Sequence, residues 1–222
     1  AGLANILGNQ GAVYFDYGSY EKAMTLYLQS LKLAEETNDQ LRIATTCSNI
    51  GAIFARKAET YDKALSYYER ALAISEEIHD QDLTGTVTGN ISEIHVERGD
   101  YDQALEYLQR SLKAFEGSVN VPFALMSISE MYSLKSDYPA ARQYALEALD
   151  AAITVNGKND MTKALVQLAK IASVQKQYHQ ALIYLNEALL YAKETNSRPE
   201  ISQIYKELRT NFSATNIYKE AF

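Results

Sequence analysis

The stretch Tyr20-Glu-Lys-Ala-Met-Thr-Leu-Tyr27 is one copy of a sequence motif that recurs along the chain. It returns as Tyr61-Asp-Lys-Ala-Leu-Ser-Tyr-Tyr68 and Tyr101-Asp-Gln-Ala-Leu-Glu-Tyr-Leu108, and weaker versions begin at Tyr138 and Tyr178. A tyrosine followed three residues later by alanine occurs six times in near-register, and the tyrosines of successive pairs are 41, 40, 37, 40 and 40 residues apart. A fixed period of this length indicates a repeat architecture. The pairs are Tyr20/Ala23, Tyr61/Ala64, Tyr101/Ala104, Tyr138/Ala141, Tyr178/Ala181 and Tyr218/Ala221.

Each unit is predicted to contain two helices. From the tyrosine onward, small and apolar residues recur at helical spacing, as in Ala23, Tyr27, Leu31 and Ala34. A second set of helices precedes the tyrosines, and Gly18 and Gly99 mark the tight turns between the two helices of a unit. Polar residues that could cap the second helices stand directly before the tyrosines. These are Ser19, Thr60, Asp100 and Asp137.

Small residues occupy fixed places in both helices of the unit. They are Gly11, Gly51, Ser92, Ser129 and Ala169 on the first helices, and Ala23, Ala64, Ala104, Ala141 and Ala181 on the second. Two helix backbones approach closely only where the side chains at their crossing are small. We therefore expect these residues to mark the contact between the two helices of each unit.

Two changes of length interrupt the period. The turn Lys57-Ala-Glu-Thr60 has one extra residue, and the third unit is three residues short around Glu116-Gly-Ser-Val-Asn120. Three residues are almost one helical turn, so we expect the helix before Gly117 to end early. This shortening is either harmless or a bend that shapes a ligand groove.

The pattern resembles the tetratricopeptide repeat, on the Gly-x-x-Tyr of Gly11 to Tyr14 and the Tyr-x-x-Ala-x-x-x-Tyr of Tyr20 to Tyr27. The resemblance implies an all-α fold, a right-handed superhelical α-solenoid of stacked helix-turn-helix repeats. The chain departs from the usual pattern in having no tryptophan, no proline at the end of each unit, and a period near 40 instead of 34. The longer period is similar to the subclass with lengthened helices found in adaptors and bacterial signalling proteins.

Composition excludes several classes of function. The chain has 222 residues and a formal net charge of −7, which argues against nucleic-acid binding because phosphate contacts need clustered lysine and arginine. Its one cysteine, Cys47, excludes an internal disulfide and a thiolate zinc cluster. No apolar stretch is long enough to span a membrane, so we expect no membrane insertion. The cysteine usage is compatible with the cytoplasm, where we place the chain.

A row of polar side chains is predicted on the inner, concave face of the solenoid. Asn9 and Gly11 lie two positions apart, about 200° around a helix, so Asn9 points away from the partner helix if Gly11 points toward it. An amide both donates and accepts hydrogen bonds, which suits the backbone of an extended peptide. The resemblance implies the same use for an asparagine at this place. The row is Asn9, Asn49, Asn90, Ser127 and Gln167, and its alternative role is that of a solvated polar face.

Charged residues are expected to share that concave surface. They are Arg56, Glu93, Glu97, Glu130, Lys163 and Lys170. The acidic residues in the middle of the chain suggest a ligand with basic character near Glu93 and Glu130. The two-carboxylate clamp of some family members needs basic residues beside the asparagines, where this chain has Asn5, Thr45 and Thr86 instead. We therefore do not expect that clamp.

Catalytic and cofactor motifs are not evident in the sequence. The histidines, His79, His95 and His179, belong to separate units, and only His79 beside Asp80 and Asp82 gives a weak metal signal. Glycine motifs for nucleotides and for a serine nucleophile are absent. We expect no enzyme activity, no metal and no cofactor.

The most economical interpretation is one solenoid domain over residues 1–222, with units near 1–38, 39–79, 80–117, 118–156 and 157–197 and a partial unit over 198–222. Because the last unit is incomplete, we expect a fragment of a longer protein, with Tyr218, Ala221 and Phe222 packing on a downstream segment. The favoured function is a protein-interaction scaffold that binds a peptide or partner segment in its concave groove. The alternative is the sensory or regulatory domain of a bacterial kinase, cyclase or transcription regulator. The oligomeric state is left open.

Overall fold

The structure is a computed structural model that describes residues 2–214, and the predicted contacts of Tyr218, Ala221 and Phe222 lie outside this range. The described residues form eleven α-helices and one short 3-10 turn, Ala58–Thr60. The helices are α1 (Gly2–Asp16), α2 (Tyr20–Glu36), α3 (Gln40–Phe54), α4 (Tyr61–Glu77), α5 (Gln81–Arg98), α6 (Tyr101–Ala114), α7 (Val121–Leu134), α8 (Tyr138–Thr154), α9 (Lys158–Val174), α10 (Tyr178–Glu194) and α11 (Arg198–Ala214).

The helices divide into two compact units, one ending at Phe115 and the other beginning at Glu116. In each unit, every helix packs against the next one along the chain, and the first helices of successive repeats also touch: α1 with α3 and α3 with α5 in one unit, α7 with α9 and α9 with α11 in the other. The expected all-helical fold of stacked helix-turn-helix repeats is confirmed.

The turns between helices use a left-handed residue. Gly18 and Gly99 have φ of 72° and 79°, as expected from their place between the two helices of a unit. In most other turns a non-glycine residue adopts the same region, with φ between 52° and 61°. These residues are Asn38, His79, Ser136, Asn156, Lys176 and Asn196.

All four predicted residues occupy the N-cap position of a second helix, but most make no capping bond with their side chains. Among Ser19, Thr60, Asp100 and Asp137, only Asp137 accepts a hydrogen bond from the first turn, from the Ala140 amide at 3.2 Å. Asp137 also has the largest ψ of the four, 75°, where the others have 63°, 8° and 60°. Two caps that the sequence analysis missed start first helices: Asp39 accepts from the Arg42 amide and Asp80 from the Leu83 amide.

The small residues of the first helices do mark close packing, but their neighbours are not only alanines. A Cβ atom added at Gly11 would lie 2.6 Å from Cε1 of Tyr27, and one added at Gly51 would lie 2.6 Å from Cε1 of Tyr68. Each glycine therefore makes room for a buried tyrosine ring of the second helix. Burial, with a smaller contribution from Asp16, raises the pKa of Tyr27 to about 12.

Ion pairs and hydroxyl groups connect the helices as well as apolar contacts. Ser30 of α2 donates to the Ala4 carbonyl at 2.7 Å, and Ser111 of α6 donates to the Gly85 carbonyl at the same distance. Glu35 of α2 pairs with Arg70 of α4 at 2.6 Å, and Glu76 of α4 pairs with Arg110 of α6 at 2.9 Å. The second helices of successive repeats are thus linked by a repeated acidic-basic pair.

The structure shows how the chain accommodates the inserted residue and the three missing residues. The inserted residue before Tyr61 falls in the 3-10 turn Ala58–Thr60. The missing residues shorten α6, which has 14 residues where α2, α4, α8 and α10 have 17. Gly117 follows it with φ of 80°. The predicted early end of this helix is confirmed, and the boundary between the two compact units falls at the same place.

Candidate functional site

A groove of about 290 Å³ crosses the first helices of the second unit. Three helices, α7, α9 and α11, supply all of its walls. Its lining residues are Phe123, Met126, Ser127, Glu130, Thr162, Lys163, Val166, Gln167, Lys170, Glu200 and Gln203. All five site residues that the sequence analysis proposed for this part of the chain lie in it: Ser127, Glu130, Lys163, Gln167 and Lys170.

Helical periodicity explains why these residues meet. On α7 the groove takes Phe123, Ser127 and Glu130, which are separated by four and three residues and so share one face. On α9, Lys163 and Lys170 line the groove and are seven residues apart, as Phe123 and Glu130 are on α7. The second helices α8 and α10 pack on other faces of α7 and α9, which leaves this stripe open to a ligand.

The floor of the groove is apolar. Met126 and Val166 are 8% and 7% exposed and form part of the protein core as well as the groove surface. Phe123 lies on the same surface but keeps 45% of its area in contact with solvent. An exposed phenylalanine beside a buried apolar floor gives a ligand side chain a surface on which it can be removed from water.

Glu130 and two lysines give the groove its charge. Burial raises the pKa of the Glu130 carboxyl group above its ordinary value, although Lys170 and, to a smaller extent, Lys163 favour its ionised form. Glu130 lines the groove and keeps solvent contact. Glu200 of α11 adds a second carboxylate, so the groove carries two carboxylates and two ammonium groups.

Gln167 requires a correction. We expected its amide to face solvent, but the residue is 5% exposed and donates to Ser133 Oγ at 3.0 Å. A longer contact of 3.5 Å joins the same nitrogen to Ser129 Oγ. The amide nitrogen therefore ties α9 to α7 at the edge of the apolar floor. Ser127 is half-buried, and its hydroxyl donates to the Phe123 carbonyl at 3.1 Å.

Glu200 and Phe123 are groove residues that the sequence analysis missed. Glu200 belongs to the first turn of α11, and its Oε2 atom is buried without a hydrogen-bond partner among the described residues. The sequence analysis placed a partial unit here, and carrying the groove register into it would have found this surface, since Gln203 follows Lys163 by 40 residues. The same register places Phe123 another 40 residues earlier.

The first unit carries the other predicted residues on α1, α3 and α5. Asn9 is exposed, while Asn49 and Asn90 are half-buried. Glu93 and Glu97 are exposed on α5, and the Glu93 charge, together with burial, raises the pKa of Tyr68. The amide positions therefore follow one another on first helices that are in contact, as the repeat register predicts.

Arg56 also requires a correction. The helix α3 ends at Phe54, so Arg56 does not continue the face that carries Asn49. Its guanidinium carbon lies 5.3 Å from the centre of the Tyr20 ring, at the start of α2. This cation-π contact holds Arg56 at the end of the hairpin instead of on the inner surface.

His79, His95 and Cys47 lie in a turn, in an aromatic contact and in the core, respectively. His79 is an exposed turn residue with φ of 57°, and His95 stacks on Tyr107 with ring centres 5.5 Å apart. Burial raises the pKa of the Cys47 thiol to about 11, so it is protonated at neutral pH. Over residues 2–214, no three His, Cys, Asp or Glu side chains are grouped in a way that could hold a metal ion. Within the same residues, no helix combines the length and the apolar character needed to cross a membrane.

Comparison with known proteins identifies the repeat. Sequence models described as tetratricopeptide repeat match residues 4–37, 42–117 and 91–156. No curated protein matches the chain significantly.

Several solved structures share the fold at low sequence identity. BtubC (BKLC) from P. vanneervenii is 18% identical with a TM-score of 0.79, over 90% of this chain and 86% of BtubC. The apo quorum sensor NprR from B. thuringiensis is also 18% identical, with a TM-score of 0.78 over 98% of this chain and 62% of NprR. A Rap protein complexed with competence and sporulation factor is 15% identical, with a TM-score of 0.69 over 95% of this chain and 63% of the Rap protein. The chain thus spans less than two thirds of the latter two proteins.

Proposed function

The chain belongs to the tetratricopeptide repeat family, and we propose that it is a protein-interaction scaffold that binds a peptide or a partner segment along its first helices. The groove across α7, α9 and α11 is the primary binding surface in this proposal. It has no chemical step of its own, and its partner needs neither a metal nor a cofactor.

One observation carries this proposal: the groove combines an apolar floor with charged and polar walls on three successive first helices. Met126 and Val166 offer apolar area, Lys163 and Lys170 offer positive charge, and Gln203 offers an amide. Most ligand sites have this composition, an apolar surface with a few polar groups that fix orientation. An extended segment laid across the helices would contact all of these groups in turn.

The first unit contributes a second surface. We assign Asn9, Asn49 and Asn90 to hydrogen bonds with the backbone of a bound segment, because they are the members of the amide row with solvent contact. Glu93 and Glu97 would favour a basic neighbour in the same segment. Gln167 and Arg56 do not belong to this role, since both are engaged within the protein.

Selection from a random peptide library, displayed on phage, tests the proposal with the whole chain as bait. We expect enriched peptides whose binding weakens in Phe123→Ser and Lys163→Glu. The matched controls are Ile183→Ser and Lys193→Glu, which make the same changes at exposed positions of α10, outside the groove. No enrichment, or equal weakening by the controls, would refute binding in the groove.

The second candidate function is a sensory or regulatory domain of a bacterial signalling protein. The fold shared with the quorum sensor NprR and with the Rap protein in complex with competence and sporulation factor favours it. Under this alternative, a peptide selected as above would change the activity of an attached kinase, cyclase or transcription regulator. The activity of the longer protein, measured with and without the peptide, distinguishes the two functions: a scaffold leaves it unchanged.

A further inference from the structure

The groove across α7, α9 and α11 presents a different chemistry on each helix. Phe123, Lys163 and Gln203 follow one another at intervals of 40 residues, so they occupy the same register position on the three helices. Glu200 lies one turn before Gln203 on α11. A segment that crosses the helices at this level meets an aromatic ring first, an ammonium group second and an amide third, and the Glu200 carboxylate lies one turn away on the third helix.

Each of these three side chains, Phe123, Lys163 and Glu200, has a property that favours contact with a ligand. Phe123 is 45% exposed although it adjoins the apolar floor. Glu130 interacts more strongly with Lys170 than with Lys163, which leaves Lys163 the less neutralised of the two lysines. The Glu200 Oε2 atom is removed from solvent without a hydrogen-bond donor among the described residues, which is an unfavourable state that a donor from a ligand would relieve.

The spacing of the helices selects a peptide conformation. Packed helix axes lie about 8–10 Å apart, so the three groups recur across the groove at about that distance. A polyproline-II segment rises about 3.1 Å per residue with three residues per turn, so every third side chain points the same way at intervals of about 9 Å. A β-strand does not match as well, since residues three apart point to opposite sides.

We propose that the groove recognises a polyproline-II segment with an apolar residue at one position, an acidic residue three positions on and a basic residue three positions further. The apolar side chain packs on Phe123 and Met126, the acidic one pairs with Lys163, and the basic one donates to Glu200. This inference rests on the proposed function and specifies the class of peptide that the groove takes.

Fluorescence anisotropy with synthetic peptides tests it. The probe is fluorescein-labelled Leu-Pro-Ala-Glu-Pro-Ala-Arg. The first control, Leu-Pro-Glu-Ala-Arg-Pro-Ala, has the same composition with the charged residues at the wrong spacing. The second, Leu-Pro-Ala-Arg-Pro-Ala-Glu, exchanges the two charges. The reversed probe, Arg-Ala-Pro-Glu-Ala-Pro-Leu, covers the opposite chain direction. We expect the probe or its reverse to bind at least about tenfold more tightly than either control.

Charge exchange in the protein provides the decisive comparison. The double variant Lys163→Glu/Glu200→Lys should prefer the charge-exchanged peptide over the probe, reversing the order seen with the wild type. Lys193→Glu is the matched control on α10 and should keep the wild-type order. Helical circular dichroism and the thermal midpoint of each variant verify that it is folded.

Two results overturn the inference. One is equal affinity for the probe and both controls, including the case in which none of them binds. The other is an unchanged preference in the double variant. If library selection still yields peptides that depend on Phe123 and Lys163, the proposed function stands and only the periodic recognition is wrong. If selection yields none, the proposed function fails as well.

Discussion

Replacing Gly51 by alanine is expected to destabilise the protein, although alanine is the better helix former. The added Cβ would lie 2.6 Å from Cε1 and 2.7 Å from Cδ1 of Tyr68, well inside van der Waals contact. Gly51 belongs to α3 and Tyr68 to α4, and both residues are buried. The ring has little space to move, so the two backbones must separate or the ring must leave its rotamer.

Two opposing effects set the magnitude. Alanine in place of a glycine inside a helix stabilises by about 1 kcal/mol, whereas overpacking a core contact costs about 1–3 kcal/mol. We expect a net loss of about 1 kcal/mol in the free energy of unfolding. In a Tyr68→Leu background the ring is gone and only the helix propensity remains, so Gly51→Ala should stabilise by up to about 1 kcal/mol.

Urea unfolding followed by circular dichroism measures the cycle of the wild type, the two single variants and the double variant. The coupling between the two sites should be about 1–3 kcal/mol, with a reversal of sign for Gly51→Ala between the two backgrounds. The urea concentrations at the unfolding midpoint are compared only if the dependence of the unfolding free energy on urea is the same for all four proteins, because a shift of the midpoint then reports a change in stability. Additive effects within about 0.5 kcal/mol would refute the steric reasoning.

Three further predictions concern single sites. The buried Cys47, whose pKa is raised to about 11, should not react with a thiol reagent at pH 8 until the chain is unfolded; reaction at the rate of a free thiol would contradict this. Glu130→Gln should stabilise the protein at pH 7, because burial raises the pKa of the carboxyl group and ionisation therefore opposes folding; the gain should disappear as the pH falls below the ordinary value of 4.5, and a gain that grows in acid would be inconsistent. Gly99→Ala should cost about 1–2 kcal/mol because φ is 79°, and Gly99→Asn should cost less; equal thermal midpoints for the two variants would argue against backbone strain.

The sequence was sufficient for the fold because the repeated positions are those that packing constrains. The tyrosine motif marks the residue at which the second helix of each of the first five repeats begins. The turn glycines Gly18 and Gly99 have the backbone conformation that their position requires. The caps were less predictable. Among the four N-cap residues of these helices, only the one with the largest ψ accepts a bond, and ψ depends on how the preceding turn closes, which the residue type does not reveal.

The positions of the candidate site residues within the repeat could be predicted from the sequence, but the contacts of their side chains were harder to predict. Counting from the tyrosines correctly brought Glu130, Lys163 and Lys170 into one groove. It could not show that Gln167 bonds to Ser133, because that contact depends on the approach of α9 to α7. Arg56 was misplaced because the insertion in its turn ends α3 at Phe54, before the face is complete.

The repeat has two kinds of position, and the difference between them indicates where binding specificity resides. At the crossing of the two helices, a glycine stands with a large tyrosine in the first two repeats, whereas Ser92 and Leu108 occupy the same register in the third. In these three repeats, a larger residue on the first helix accompanies a smaller one on the second.

At the groove positions no such compensation is required, since the side chain faces the open groove instead of the partner helix of its own unit. The same register position can therefore hold Phe123 on one helix, Lys163 on the next and Gln203 on the third without cost to the scaffold. Hydroxyl and amide donors such as Ser127 and Gln167 are already bonded within the protein. Under the proposed function, discrimination between ligands in this unit comes chiefly from the order of apolar, positive and negative groups across the helices.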